Sequence, residues 1–218
     1  MLSSVFAGKS MQRNFRIRQN FCSSCLKVFG IQFHKEGIPF HGACLYVSNH
    51  RSMLDPLIEL SWIDTYILSK AEVRDYPLLG RGAKETGVVF VDRDNQQSRK
   101  NALSSIESLL TNNCPVLIYP EGTTYSGDLT GEFRKGAIEK AYDLNVPVIP
   151  VMIEYPDHSY YWGDEELLAY FLRIFRTGKE IKVKGKIGEQ IISPDKKDVV
   201  TLTQDAISEM IIEARGKV

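Results

Sequence analysis

The residues in this chain best suited to moving a proton are a histidine and an aspartate five positions apart, in Asn49-His50-Arg51-Ser52-Met53-Leu54-Asp55-Pro56. A carboxylate bonded to one imidazole nitrogen orients the ring and stabilises the imidazolium formed when the other nitrogen takes a proton. Five residues along one helix is a rotation of about 140°, which would part the two side chains. The pair therefore requires His50 to precede a helix and Asp55 to stand at its mouth. Ser48 and Ser52 are near, but neither sits in a nucleophile-elbow context. The economical chemistry is a base that deprotonates a hydroxyl of the substrate itself. Taken alone, the same residues also fit a plain loop histidine beside an N-capping aspartate.

Two further groups of residues suit binding. Arg93 follows the apolar run Gly87 to Val91 and can grip an anion bidentately, or pair with Asp92 or Asp94. Glu121 follows Tyr119-Pro120 and precedes Gly122-Thr123; its carboxylate can accept hydrogen bonds from a polyol, and Gly122 allows close backbone approach. Arg134 and Lys135 add cations where a helix should start, a place that favours phosphate.

The elements that would position these groups alternate along the chain. Ala43 to Val47 reads as a buried strand ending at Asn49-His50. Asp55-Pro56 opens a helix to about Trp62, with Asp55 as N-cap. Thr65 to Leu68, Gly87 to Val91 and Pro115 to Tyr119 are the next strands; Tyr76-Pro77 opens a turn or short helix with Gly80 and Gly82. Ser98 to Leu110 and Arg134 to Leu144 are helices. Val146 to Ile153 is a strand that Pro147 and Pro150 demote to an edge or bulged position. An aromatic loop from Asp157 to Gly163, a helix from Asp164 to Phe175, a lysine-alternating strand from Ile181 to Ile187 and a helix from Thr203 to Ala214 complete it. The alternation predicts an α/β fold, a single domain built on a largely parallel mixed sheet flanked by helices. Sites in such sheets lie at the carboxyl ends of the strands, where Asn49-His50, Asp92-Arg93 and Glu121-Gly122 fall.

Composition bounds the partners. The chain has 218 residues, 43% apolar and 25% charged, with a formal net charge of zero, which gives no indication of a nucleic-acid footprint. Yet no acidic residue precedes Glu36, while Lys9, Arg13, Arg16, Arg18, Lys27 and Lys35 do. A second basic excess runs from Arg173 to Lys186. Both suit an anionic lipid surface, or simply solvated faces. Residues 1–30 form a short basic amphipathic helical segment, a membrane-surface anchor or a helix packed on the domain; residues 31–218 form the main domain. No run reaches the roughly 18 apolar residues of a membrane span, and the start lacks the pattern of a signal peptide. Membrane contact is then peripheral, on the cytoplasmic face. Cys22, Cys25, Cys44 and Cys114 read as reduced thiols, and Cys22-Ser-Ser-Cys25 lacks the second pair a zinc site needs, so no metal is expected.

Asn49-His50-Arg51-Ser52-Met53-Leu54-Asp55 resembles the His-x4-Asp box of the glycerolipid acyltransferases, specifically the 1-acylglycerol-3-phosphate acyltransferases. The resemblance continues through Lys70-Ala-Glu72, Pro77, Gly80 and Gly87 to Arg93, then Tyr119 to Thr123, then Val146 to Val151, covering roughly residues 40–155. It implies passage of a fatty acyl group from a coenzyme A or acyl-carrier-protein thioester to the hydroxyl of a lysophospholipid, in phospholipid biosynthesis. His50 would be the base and Asp55 its partner. Arg93, Glu121 and Gly122, with Asn49, Thr123, Arg134 and Lys135, would hold the acceptor. The thioester supplies the leaving group, so no cofactor or metal is needed. Two departures stand out. Thr124 occupies the place where many members carry arginine, and the N-terminal anchor common in the family is short, with Tyr160 to Phe175 a second membrane-contact candidate. The alternatives are an acyltransferase for another acceptor, such as a lyso-aminolipid, or a non-catalytic membrane-surface lipid-binding protein.

Overall fold

The computed structural model describes residues 2–70, 86–91, 96–163 and 165–216. Its strands are β1 (Ile31–Glu36), β2 (Leu45–Ser48), β3 (Tyr66–Lys70), β4 (Val88–Val91), β5 (Val116–Ile118), β6 (Val148–Glu154) and β7 (Ile181–Ile187). Its helices are α1 (Leu2–Val28), α2 (Asp55–Leu60), α3 (Gln96–Thr111), α4 (Gly136–Asp143), α5 (Leu167–Arg176) and α6 (Lys196–Gly216), with a 3-10 turn at His158–Tyr160. Among the described residues these strands form one sheet in the order β1-β7-β6-β2-β5-β3-β4. Strands β2 to β6 run parallel, whereas β7 pairs antiparallel to β6 and carries β1 parallel to itself. This is the expected largely parallel mixed sheet in a single α/β domain.

The central strands are buried on both faces, as parallel strands sandwiched by helices must be. Leu45, Val47, Val116, Ile118, Val148 and Met152 point to one side, against residues of α3, α4 and α6. Tyr46, Leu117, Ile149, Val151 and Ile153 point to the other, where α1, α2 and α5 pack.

Three expectations are corrected. The strand carrying Pro150 is not at an edge: β6 lies inside the sheet between β7 and β2. A strand residue turns its N–H and C=O to the same side. The Pro150 carbonyl accepts from Gly188 N, just past the end of β7, so the missing N–H falls where that ladder has finished. Pro147 stands before β6, and its carbonyl accepts from Leu45 N (2.8 Å). Asp55 is not an N-cap either. Leu54 occupies that position in a right-handed helical conformation, and Asp55 is the first residue of α2. Finally, Arg134 and Lys135 precede α4, which begins at Gly136.

Helix α1 uses two faces rather than one. Phe15, Arg18, Cys22 and Leu26 are buried against the domain, while Ile17, Phe21 and Val28 are exposed. Arg18, which interrupts the apolar stripe in sequence, donates from Nη1 to the Thr86 carbonyl and lies over the Phe15 ring. All four cysteines are free thiols; burial pushes Cys22 up to about 11 and Cys44 up to about 12, so both are held as inert thiols.

Candidate active site

Strand β2 delivers the site. Its last residue, Ser48, is followed by Asn49, whose side-chain amide bonds both backbone groups of Ile153 (Nδ2 to O 2.8 Å, N to Oδ1 2.9 Å). Asn49, expected to touch the acceptor, instead extends the β2–β6 pairing by one residue and locks the exit of the strand. His50 follows on that fixed backbone. Its N–H donates to Glu121 Oε2 (2.8 Å) and its carbonyl accepts from Tyr125 N (2.7 Å).

The His50 ring bonds Asp55 through Nδ1, at 2.8 Å from Oδ2. The same oxygen accepts Arg51 N (2.6 Å) and Ser52 N (2.8 Å), and Oδ1 accepts the Tyr155 hydroxyl (2.6 Å). Asp55 therefore reaches backward over the loop instead of forward along α2. Four donors on one fully buried carboxylate fix it against rotation. With Nδ1 committed, Nε2 is the nitrogen left to exchange a proton with substrate. On its face the imidazole stacks on the Tyr119 ring, with centroids 4.1 Å apart and planes 12° from parallel.

Strand β5 delivers the second wall. Glu121 is nearly buried, and its Oε1 accepts Gly131 N (2.8 Å) while Oε2 holds His50 N. Burial pushes its carboxyl up, though both N–H donors and the neighbouring Arg51 and His50 pull the other way. Glu121 is thus first a brace between the histidine loop and the loop that follows β5. Gly122 takes a left-handed conformation (φ 75°), and a Cβ there would stand 2.6 Å from Arg134 Cζ. The exposed Arg134 guanidinium therefore lies directly over the Glu-Gly turn, presenting a cation at the strand end. Thr123 is exposed nearby, and Lys135, also exposed, pairs with Glu139 (3.4 Å). Arg93, with Asp92, and the stretch holding Glu72, Pro77, Gly80 and Gly82 lie outside the described residues.

Several residues were missed in the sequence. Arg51 is fully buried and donates to the carbonyls of Tyr125 (2.9 Å), Gly127 (2.6 Å) and Asp128 (3.2 Å). It lies over the Tyr161 ring and 4.0 Å from Glu154, which also holds Arg215. Ser52 bonds the Tyr170 hydroxyl of α5, and Tyr119 bonds the buried Glu59 of α2. An arginine after the histidine carries no local signal that it will be buried, because every group it bonds lies more than seventy residues on. Among the described residues no group of histidine, cysteine and carboxylates forms a metal site.

A backbone-anchored histidine with its Nδ1 held by aspartate, beside a Glu-Gly turn, occurs within the segment that matches a known family. The family model described as Acyltransferase matches residues 30–154. The chain belongs to the acyltransferase family. Among curated proteins it is 31% identical over 163 residues to a lysophospholipid acyltransferase (LPEAT2) of Arabidopsis thaliana, covering 71% of this chain and 29% of that one. It is 33% identical over 156 residues to a lyso-ornithine lipid O-acyltransferase of Pseudomonas aeruginosa, covering 69% and 58%. The chain thus spans well under two thirds of the length of these relatives. The crystal structure of the 1-acyl-sn-glycerophosphate acyltransferase PlsC from Thermotoga maritima has the same fold, with a TM-score of 0.72 at 20% identity, over 98% of this chain and 90% of that one.

Proposed function

We propose that this protein is an O-acyltransferase that moves a fatty acyl group from a coenzyme A or acyl-carrier-protein thioester to the free hydroxyl of a lysophospholipid. The observation that carries this is the 2.8 Å contact of His50 Nδ1 with a fully buried Asp55, at the carboxyl end of a central strand. His50 Nε2 takes the proton of the acceptor hydroxyl as its oxygen attacks the thioester carbonyl. The tetrahedral intermediate collapses with cleavage of the C–S bond. The thiolate then recovers the proton from the imidazolium, leaving an ester and a free thiol.

The acceptor is 1-acylglycerol-3-phosphate, giving phosphatidic acid. Arg134 over the Glu121-Gly122 turn supports an anionic headgroup there, joined by the exposed Thr123 and Lys135. A second acceptor is favoured by a specific residue: Thr124 stands where arginine is common in the family, and a lyso-ornithine lipid enzyme is among the relatives. Incubating the protein with an acyl thioester and a panel of lysolipids, followed by mass spectrometry, separates the two. Preference for lysophosphatidic acid supports the first; preference for a lyso-aminolipid replaces it.

The membrane surface is the working environment in this reading. At about 100° per residue, Ile17, Phe21 and Val28 of α1 lie within about 40° of one another, and all three are exposed. Leu168, Leu172 and Phe175 make an exposed stripe on α5. Phe29 stacks on Phe171 (5.5 Å), so the two helices are neighbours. Tyr160 and Tyr161 are buried, so the aliphatic stripe of α5 is the part available to lipid. Exposed Arg13, Lys27, Arg176 and Lys179 supply cations for anionic headgroups on the cytoplasmic face. Among the described residues no helix is long and apolar enough to cross a membrane.

A further inference from the structure

We infer that Tyr119 and Glu59 form a buried support for the catalytic histidine, in which the Tyr119 ring holds the plane of the His50 imidazole and Glu59 holds the ring. The inference rests on His50 acting as the base. Asp55 anchors the imidazole at one edge through Nδ1. A single edge contact leaves the ring free to tilt about that bond, and a tilt moves Nε2 away from the acceptor oxygen. Tyr119 removes this freedom by lying face to face with the imidazole at 4.1 Å and 12°. When the imidazole takes its proton, the new cation lies over an aromatic face, whose quadrupole attracts it.

The support continues inward. The Tyr119 hydroxyl bonds Glu59 Oε2, across the interface between β5 and α2. Glu59 is fully buried, on the same helix that Asp55 opens. One short helix therefore holds the histidine twice, at its edge through Asp55 and on its face through Glu59 and Tyr119. Burial pushes the Glu59 carboxyl up to about 8, and the Asp55 carboxylate adds to this; the Ser48 and Tyr119 hydroxyls offset part of it. Burial thus favours the uncharged form of Glu59, which serves as a hydrogen-bonding anchor. The groups facing His50 are Asp55 from α2, Tyr119 and Glu121 from the end of β5 and its loop, and the adjacent Arg51; Tyr155, just past β6, reaches it through Asp55.

The test compares kcat and acceptor KM for His50→Ala, Tyr119→Leu, Tyr119→Met, Tyr119→Phe and Glu59→Gln, with melting temperatures for each. Tyr119→Leu and Tyr119→Met keep a smaller apolar side chain but lose both the stack and the bond to Glu59; kcat should fall by about tenfold to a hundredfold with KM within about twofold. Tyr119→Phe keeps the ring without its anchor and should lose about threefold to tenfold in kcat. Glu59→Gln keeps a hydrogen-bond partner and should stay within about twofold at pH 7. Wild-type kcat in a folded Leu or Met variant overturns the role of the ring. Wild-type kcat in Tyr119→Phe overturns the role of Glu59, and decides the matter should the Leu and Met variants melt too low to assay. A loss above about tenfold in Glu59→Gln would show that its charge matters, against the anchor described here. Turnover by His50→Ala would instead refute the base itself, so the two failures are distinct.

Discussion

Asp55 concentrates more of the site's geometry than any other side chain. It orients His50, closes the loop through Arg51 N and Ser52 N, and receives the Tyr155 hydroxyl. Asp55→Asn places an amide where four donors converge, so at least one donor loses its acceptor. The expected loss is about 10²- to 10⁴-fold in kcat, with about 1–3 kcal/mol of stability for the unsatisfied buried group, read by initial rates and urea unfolding. Glu59 makes a prediction of a different kind. Its carboxyl is raised from 4.5 to about 8 on folding. Its contribution to stability is therefore fully present below pH 4.5 and is lost as pH rises through about 8. Glu59→Gln removes this titration. The melting temperature of the wild type should fall relative to the variant between pH 5 and pH 8, by an amount worth a few kcal/mol over the window; parallel curves would contradict it.

The elements around the site divide by how local their cause is. The strand ends carrying His50 and Glu121 were legible in sequence because an apolar run, a turn and a proline-opened helix are each short-range patterns. The partners that fix them were not. Tyr155 is one hundred residues from Asp55, and Glu59 is sixty from Tyr119; no periodicity announces such contacts. Pro150 was misread because the rule concerns a missing N–H, and only the sheet order shows that β7 has ended opposite it. The apolar positions of α1 were visible as one group, but their split into a packed face and an exposed one required the domain beneath. Arg51 shows what an element-scale contact is worth. It ties the carbonyls of Tyr125, Gly127 and Asp128 to the histidine loop. Arg51→Ala should cost about 3–5 kcal/mol, because three loop carbonyls lose a charged donor and the buried Glu154 loses one of its two cations. Urea unfolding checks this, and a change below about 1 kcal/mol would show that the loop is held by other means.

At the scale of the whole molecule, the sheet presents the candidate site at the carboxyl ends of its central strands and leaves an apolar stripe on two neighbouring helices. In the proposed reaction both substrates carry fatty acyl chains, and the same body would then work at a membrane surface. A Phe21→Ser, Leu172→Ser double variant changes exposed residues only and should keep the wild-type melting temperature. Its binding to vesicles containing phosphatidylglycerol should weaken by about tenfold or more, since two large apolar side chains no longer enter the interface; unchanged co-sedimentation would move the docking surface elsewhere. The central claim is the base, and it is tested most directly by mass-spectrometric assay of diacyl product from an acyl thioester and lysophosphatidic acid, with wild type and His50→Ala side by side. Product from the wild type, with at least about a hundredfold less from a variant of equal melting temperature, is the predicted result. Equal turnover by the two proteins would contradict it.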